Sequence, residues 1–388
     1  MRTVRLVILM VGAAGLLAAW APTAAVAASH TVNPGESIQA AVDAALPGDT
    51  VRVLPGDYVG VPAGSVSAAV RITKPLKLIA KSKISDGLRV RILPGAGQSH
   101  GILVEPANPG DPDIVGVMIK GFTVQGFSNN GIWLRHVQKF KIQGNESINN
   151  LENGIFPTLS ANGQVKKNVS YGSQDSALWV EASENVRILK NELYNSPTGL
   201  EITVSKDILI KKNDVHDNTV GIGLYHPNAA AEDPLPVMDG WQVLKNHVHN
   251  NNYMNSAPSG SMAASLPPGG GILVLGVDNV TVAKNDVENN DFFGVAAVDW
   301  CFGVSGGPFD CSTSPPIDGD PAPNDNSIKK NDVAMNGGNP PPGLFSAFAA
   351  DLTLVAPTGG MYPPGMNNCF EDNTAGASEV FVPENQCM

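Results

Sequence analysis

The feature that most restricts this chain is an asparagine that returns at a nearly fixed step. Asn145, Asn168, Asn191 and Asn213 follow one another at intervals of 23, 23 and 22 residues, and the series resumes at Asn246, Asn285, Asn331 and Asn373. The surroundings repeat with it, as "VRILKNEL", "ILIKKNDV", "WQVLKNHV", "VTVAKNDV" and "NSIKKNDV". About nine residues after each early Asn comes a small-apolar step: Gly154-Ile155, Ala177-Leu178, Gly199-Leu200, Gly221-Ile222, then Gly271-Ile272 and Gly294-Val295. Each unit holds short alternating runs broken by Asn, Gly and Asp, which is the pattern of strands and turns rather than helices. A unit of 22 or 23 residues cannot bury its apolar face alone. Stacked in parallel, such units share one continuous core.

The Asn column then has a physical role. Equivalent side chains stack at the inter-strand spacing of about 4.8 Å, where each amide can bond the next rung and satisfy turn backbone. A second column, Asn150, Ser173, Ser196, Asn218, Asn251, Asn290 and Asn336, supports this. Asn145 and Asn168 also match the glycosylation sequon, but their regular placement favours the structural role. The longer gaps are insertions, near 226–239, 252–269 and 299–323. Composition agrees: 41 Gly and 30 Pro indicate many turns, 43% hydrophobic residues supply a core, and 16% charge without heptads excludes a long coiled coil.

The start of the chain carries its own signals. Arg2 and Arg5 precede an apolar run from Leu6 to Trp20, followed by Ala25-Val26-Ala27, the order of a secretory leader over 1–27. We therefore expect an exported protein. No later stretch is long enough to insert in a membrane, and a net charge of −11 argues against nucleic acid as a partner. Four cysteines outside the cytosol suggest disulfides, with proximity favouring Cys301–Cys311 and Cys369–Cys387. Residues 28–60 read as an N-terminal cap and first strand. Within it, Ser37–Leu46 reads as an amphipathic helix with Ile38, Val42 and Leu46 on one side, before strand Thr50–Leu54. Residues 61–376 form the repeating body and 377–388 a tail.

"SIQAAVDAALPGDTVRVLPGDY" resembles the N-terminal cap of the right-handed parallel β-helix, or pectate-lyase-like, superfamily, and the "N-x-V-x-x-N-x-x-G-I" rungs resemble its repeats. The stretch from Ala177 to Trp300, including "SMAASLPPGGGILVL", resembles an exported bacterial group of parallel β-helix repeat proteins without a settled activity. The resemblance implies an all-β solenoid, a right-handed parallel β-helix with a short N-terminal capping helix. It implies less about chemistry, because the fold hosts lyases, hydrolases, epimerases and inert stalks. The Asp-Asp pair of polygalacturonases, the "WIDH" element of pectate lyases and the D-P-H-D element of alginate epimerases are absent; the nearest string to the last is Tyr225-His226-Pro227.

The repeat register still draws a surface. One outward column reads Trp133, Phe156, Trp179, Glu201, Gly223, Leu273, Ala296; the next reads Arg135, Thr158, Glu181, Thr203, Tyr225, Leu275, Val298. Three large aromatics one rung apart suggest a platform of about 10 Å for sugar rings, centred on Trp179. Glu181 and Glu201 beside it are candidate acid and base, since neighbouring carboxylates cannot both ionise freely. Arg135 is placed to meet an acidic sugar. Tyr225, His226 and Asp299 stand at the edge of the strip, where insertions could wall it. The competing reading is ordinary packing of Trp133, Phe156 and Trp179 beneath a loop. A second constellation, Asp214, His216, His247 and His249, has ligand types for Zn or Cu on two adjacent rungs, against a plain solvated ladder. The acidic loop Asp318-Gly-Asp320-Pro-Ala-Pro-Asn324-Asp325 offers oxygens for Ca²⁺ without EF-hand spacing. No motif fixes a cofactor; Ca²⁺ and a transition metal are the candidates. Two function classes follow: a carbohydrate-active lyase, epimerase or hydrolase with polysaccharide as partner, or a non-catalytic exported scaffold binding glycan, metal or protein. A monomer is expected.

Overall fold

The structure is a computed structural model, describing residues 27–60, 67–82, 86–226, 238–305, 316, 319–356, 365–375 and 378–387. The leader over 1–27 therefore lies almost wholly outside the described residues.

Short strands separated by tight corners wind the chain into a triangular coil. Strands from Ser29–Val32 to Cys369–Glu371 form a 14-stranded sheet, those from Gly56–Val59 to Thr374–Ala375 an 11-stranded sheet, and those from Ala68–Ile72 to Glu379–Val382 a second 11-stranded sheet. We call these the first, second and third sheets. Neighbouring strands pair in parallel with no slip of the repeat, for example Val165↔Ile188, Ile188↔Ile210 and Ile210↔Val243. These four residues are fully buried, as are Val282 and Ile328 further along the same column. Each buried Val or Ile contributes about 1.5–3 kcal/mol, so the coil is held by repetition of one small gain. Coiling begins at Ser29 and ends with Glu379–Val382, so it reaches past 61–376 at both ends.

The corners explain the asparagines. Before each ladder Asn stands a residue in the left-handed region, such as Lys167 (φ 55°), Lys190 (φ 56°) and Lys212 (φ 58°). That turn aims the next side chain into the coil. Asn191 Oδ1 accepts from the Asn168 backbone N–H at 3.0 Å, while its Nδ2 donates to Val165 O at 3.1 Å and Asn213 Oδ1 at 2.9 Å. Asn213 repeats the pattern with Asn246, at 3.0 Å, and Ile188 O, at 3.1 Å. Asn145 and Asn168 are 1% exposed, which removes them as glycan acceptors in the folded chain. The second column is built the same way between the second and third sheets. A third, shorter ladder of Ser160, Ser183 and Ser205 at the remaining corner was not anticipated.

The capping helix is Ile38–Ala44, with Ser37 accepting from the Ala40 N–H. Ile38 and Val42 are buried as expected, but Leu46 is 65% exposed. The helix stops at Ala45, and the following turn swings Leu46 outward while Ala45 packs in its place. Pro55-Gly56-Asp57 is more than a turn, because Gly56–Val59 is the first strand of the second sheet. At the other end the Cys369–Cys387 disulfide is present. It holds the tail so that Asn385 and Gln386 bond the last strand: Asn385 Oδ1 accepts from Phe370 N at 3.0 Å and Gln386 Oε1 from Asn368 N at 2.8 Å. Cys301 is also disulfide-bonded, but its expected partner Cys311 lies outside the described residues. Among the described residues no helix is long and apolar enough to cross a membrane.

Candidate functional site: a groove on the third sheet

The outward columns fall in register as the repeat predicts. Trp133 pairs with Phe156, Trp179 with Glu201, Glu201 with Gly223, Gly223 with Leu273 and Leu273 with Ala296. Beside them run Arg135, Thr158, Glu181, Thr203, Tyr225, Leu275 and Val298. A cavity of about 510 Å³ opens over the middle and later rungs of this face, within the range of small-molecule sites. Its walls come partly from the 252–269 insertion, which Asn255 braces through bonds to Ala263 O (2.7 Å) and Leu266 O (2.9 Å). The helix Trp300–Ser305 and the segment Leu344–Phe348 complete them, with Phe302 and Phe348 rings 4.9 Å apart.

The aromatic row is real but does not form an open platform. The rings stack on one another, Trp133 on Phe156 at 6.0 Å and Phe156 on Trp179 at 4.5 Å, nearly parallel. His100 extends the stack beyond Trp133 at 5.0 Å. Ring faces are thus largely spent on each other, and Phe156 is 7% exposed. Among the three, only Trp179 borders the cavity. Its Nε1 donates to Thr203 Oγ1 at 2.9 Å, which fixes the ring. Arg135 lies over Trp133, 5.2 Å from the ring centroid, and does not line the cavity.

The carboxylates gather next to Trp179. Glu181, Glu201, Glu152 and Asp175 all border the cavity. Burial pushes the Glu201 carboxyl well above its ordinary range; the charges of Asp175 and then Glu181 push it further, against a short hydrogen bond from Ser176 Oγ. Asp175 is raised to about 6, by burial first and Glu152 second. Burial also raises Glu152. The repulsion expected between Glu181 and Glu201 is therefore present, but Asp175 is the stronger neighbour. Asp175 and Glu152 escaped the sequence reading because they sit in the turn, two residues before the small-apolar step. Two acids at that turn position in adjacent rungs were the available signal.

Tyr225 closes the acidic half. Its ring lies over Gly223, where an added Cβ would fall 2.1 Å from the ring, so glycine in the outward column makes room for the phenol. Burial and the Glu201 charge raise its pKa. The hydroxyls of Tyr225 and Thr198 are both buried on the cavity wall, with Thr198 the hydrogen-bonding neighbour of the phenol.

His226 and Asp299 do not border the cavity. His226 is 1% exposed and packs 6.1 Å from the Trp300 ring. Asp299 caps the helix Trp300–Ser305 by accepting from Phe302 N at 3.0 Å, and burial lifts it to about 6. The insertion opens with a helix, and a helix start recruits a nearby carboxylate; this explains why Asp299 is turned away from the groove.

The His cluster lies on the second sheet, away from the groove. Asp214 Oδ1 is 3.1 Å from His249 Nε2 and 3.3 Å from His247 Nδ1. These three converge, whereas His216 continues an outer ring stack, Tyr171–Tyr194–His216–His249, and bonds Asp217 at 2.7 Å. Burial first and His247 second hold the His249 pKa below its usual value. In the acidic loop, Asp318 lies outside the described residues. Asp320 accepts from Ala322 N, and Asp325 accepts from Asn367 Nδ2; among the described residues this loop gathers no metal-binding group.

A family model described as a right-handed β-helix region matches residues 100–232. The chain is a right-handed parallel β-helix protein. Solved structures agree on the fold. The mannuronan C-5 epimerase A-module of Azotobacter vinelandii is 16% identical, with a TM-score of 0.59 over 90% of this chain and 92% of that one. The DFA-IIIase of Arthrobacter chlorophenolicus A6, without its lid and in complex with GF2, is 16% identical, with a TM-score of 0.57 over 92% and 90%. A tailspike protein is 12% identical, with a TM-score of 0.51 over 86% and 62%. Among curated proteins no sequence matches. This β-helix thus shares its fold with proteins of several activities, and its own chemistry must be argued from the groove.

Proposed function

We propose that this β-helix protein is an extracytoplasmic enzyme that cleaves neutral glycans by acid–base chemistry in the groove. The observation that carries the reading is the Glu201–Asp175 pair beside Trp179. A carboxyl held well above its ordinary range keeps its proton to higher pH than a free carboxyl does and can give it to a leaving glycosidic oxygen. As the C1–O bond breaks, water adds at C1 and passes its proton to Asp175 or Glu181. Trp179 supplies the apolar surface that a sugar ring packs on. The Thr198 and Tyr225 hydroxyls on the cavity wall supply contacts for sugar hydroxyls. The mannuronan epimerase and the DFA-IIIase among the fold neighbours fit a carbohydrate substrate. The leader-like start and the Cys369–Cys387 bridge support an oxidising compartment.

A uronate lyase or epimerase is less favoured. No Lys or Arg lines the cavity among the described residues, while four carboxylates do. A uronic acid would bring a further negative charge with nothing to pair it, and Arg135 is committed to the Trp133 ring. The test is release of reducing ends from neutral and uronic oligosaccharides. Cleavage of a neutral glycan lost in Glu201→Gln supports the reading; an unsaturated product from a uronate, or turnover unchanged in Glu201→Gln, rejects it.

The scaffold reading retains one observation, the Asp214–His247–His249 cluster. Its 3.1 and 3.3 Å ligand separations match the edge of a tetrahedron with bonds of about 2.0 Å, as Zn demands. The ion would then have three protein ligands and a fourth position open to water, and the site would be independent of the groove. Zn or Cu should raise the melting temperature, and His249→Ala should remove the rise; no shift at saturating metal returns the cluster to hydrogen bonding alone.

A further inference from the structure

The outward face changes character along the coil axis. From the Trp179 rung to the Glu201 rung it presents acids and hydroxyls. Tyr225 and Gly223 mark the boundary. From the Leu273 rung to the Thr353 rung the same columns read Leu273, Ala296 and Thr353, beside Leu275, Val298 and Val355. All of these but Thr353 belong to a hydrophobic cluster separate from the solenoid core, and it includes Phe293 and Phe302. Such satellite clusters normally pack shut beneath loops. Here it stays open, because Leu273, Phe293, Val298, Phe302, Phe345 and Phe348 all border the same cavity as Glu201. The cavity therefore has an acidic end and an apolar end. By the rung spacing of about 4.8 Å, the Leu273 rung lies about 10 Å from the Glu201 rung, and the apolar stretch runs about 10 Å further.

We infer that the groove takes a neutral glycoside bearing an apolar substituent, with the sugar on Trp179 and the substituent in the Leu273–Phe348 end. This rests on the glycan reading above and narrows it. A plain polysaccharide would place sugar hydroxyls against Leu273, Val298 and Phe293, where among the described lining residues only Thr353 offers a side-chain partner on the later rungs of the two outward columns. Desolvating hydroxyls there without partners is costly. An anionic ligand fails at the other end, among the carboxylates. An amphipathic neutral molecule satisfies both ends in one orientation and crosses the boundary at Tyr225, beside the acids. The apolar group can be aryl or alkyl, since aromatic and aliphatic side chains both line that end.

The experiment is a binding titration of the wild-type protein, read by tryptophan fluorescence, with methyl, phenyl and octyl glycosides of common neutral hexoses, alongside neutral oligosaccharides and 1-octanol. For the sugar that binds best, phenyl or octyl glycosides should bind about 10–100-fold more tightly than the methyl glycoside, the scale of burying such a group. Which of the two gains more tells an aryl from an acyl or alkyl source. Phe348→Ser, at the half-buried rim, should erase the gain, bringing phenyl and octyl glycoside affinity down to that of the methyl glycoside in the same variant. Equal affinity for methyl and octyl glycosides, with oligosaccharides still bound, overturns this inference and leaves the glycan reading standing. Octanol binding as tightly as the octyl glycoside also overturns it, because the sugar would then contribute nothing. If no saccharide of any kind binds, the glycan reading itself falls and takes this one with it.

Discussion

Two sets of columns climb the same rungs of this molecule and obey opposite rules. At the corner between the first and second sheets, the side chain is the same from rung to rung, Asn after Asn, each bonded to the next and shut away from water. On the outer face of the third sheet, the side chain changes at almost every rung, from Trp179 to Glu201 to Gly223 to Leu273. Repetition without change builds the coil, because each rung solves the same backbone problem. Change within a fixed register builds a gradient, because the coil holds unlike groups at known spacings. The difference separates residues that set stability from residues that set chemistry, and substitutions at the two sets should behave oppositely.

The largest expected effect is at Glu201. Glu201→Gln should cut turnover of a neutral glycan about 10³-fold, the scale of a lost general acid, with no fall in melting temperature; a cooperative loss of both would place Glu201 with the corners instead. Asn213→Ala should do the reverse. It strips partners from the Asn191 N–H and the Ile188 carbonyl, both buried, at about 3 kcal/mol in chemical denaturation, while turnover per folded molecule is retained.

Asp175→Asn sharpens the contrast through pH. Asp175 has its folded value raised to about 6 from 3.8. The folded state therefore holds the proton more tightly than the unfolded chain, and stability falls as pH rises from about 4 to about 6. Asparagine removes that loss. The variant should be more stable than wild type by on the order of 2 kcal/mol at pH 7, with the advantage gone below pH 4. Equal stability at both pH values would mean that the carboxyl is not confined. The smallest effect is at Trp179. Trp179→Ala should weaken glycan binding about tenfold with turnover of bound substrate little changed, whereas Phe156→Ala, one rung away and off the cavity, should weaken it much less.

The same contrast governs what the sequence could disclose. The ladders were legible because one residue type recurs at one step and has one use for it. The Ser160–Ser183–Ser205 corner was harder to see, being only three rungs of a common residue. The register of the outer columns was also readable, so Trp179, Glu181, Glu201 and Tyr225 could be placed side by side before any coordinates. What the columns could not show is how the insertions fold across them. Asp299 was spent on a helix start, His226 was packed against Trp300, and the Leu344–Phe348 segment arrived as a wall. Nor could spacing reveal ring orientation. Rings one rung apart either lie flat along the face or stack like coins, and these stack, which leaves Trp179 as the free end.

The tail has a consequence for how such molecules meet one another. A parallel coil ends in an open edge whose amides are as ready to bond a second molecule as they were to bond the preceding rung. Here Asn385 and Gln386 cover that edge on the first sheet with their side-chain amides and the Gln386 backbone N–H, which donates to Asn368 O. The Cys369–Cys387 bridge pins them there. The bridge thus keeps the Asn368 and Phe370 amides supplied with partners at the end of the first sheet, partners that a freed tail would take away.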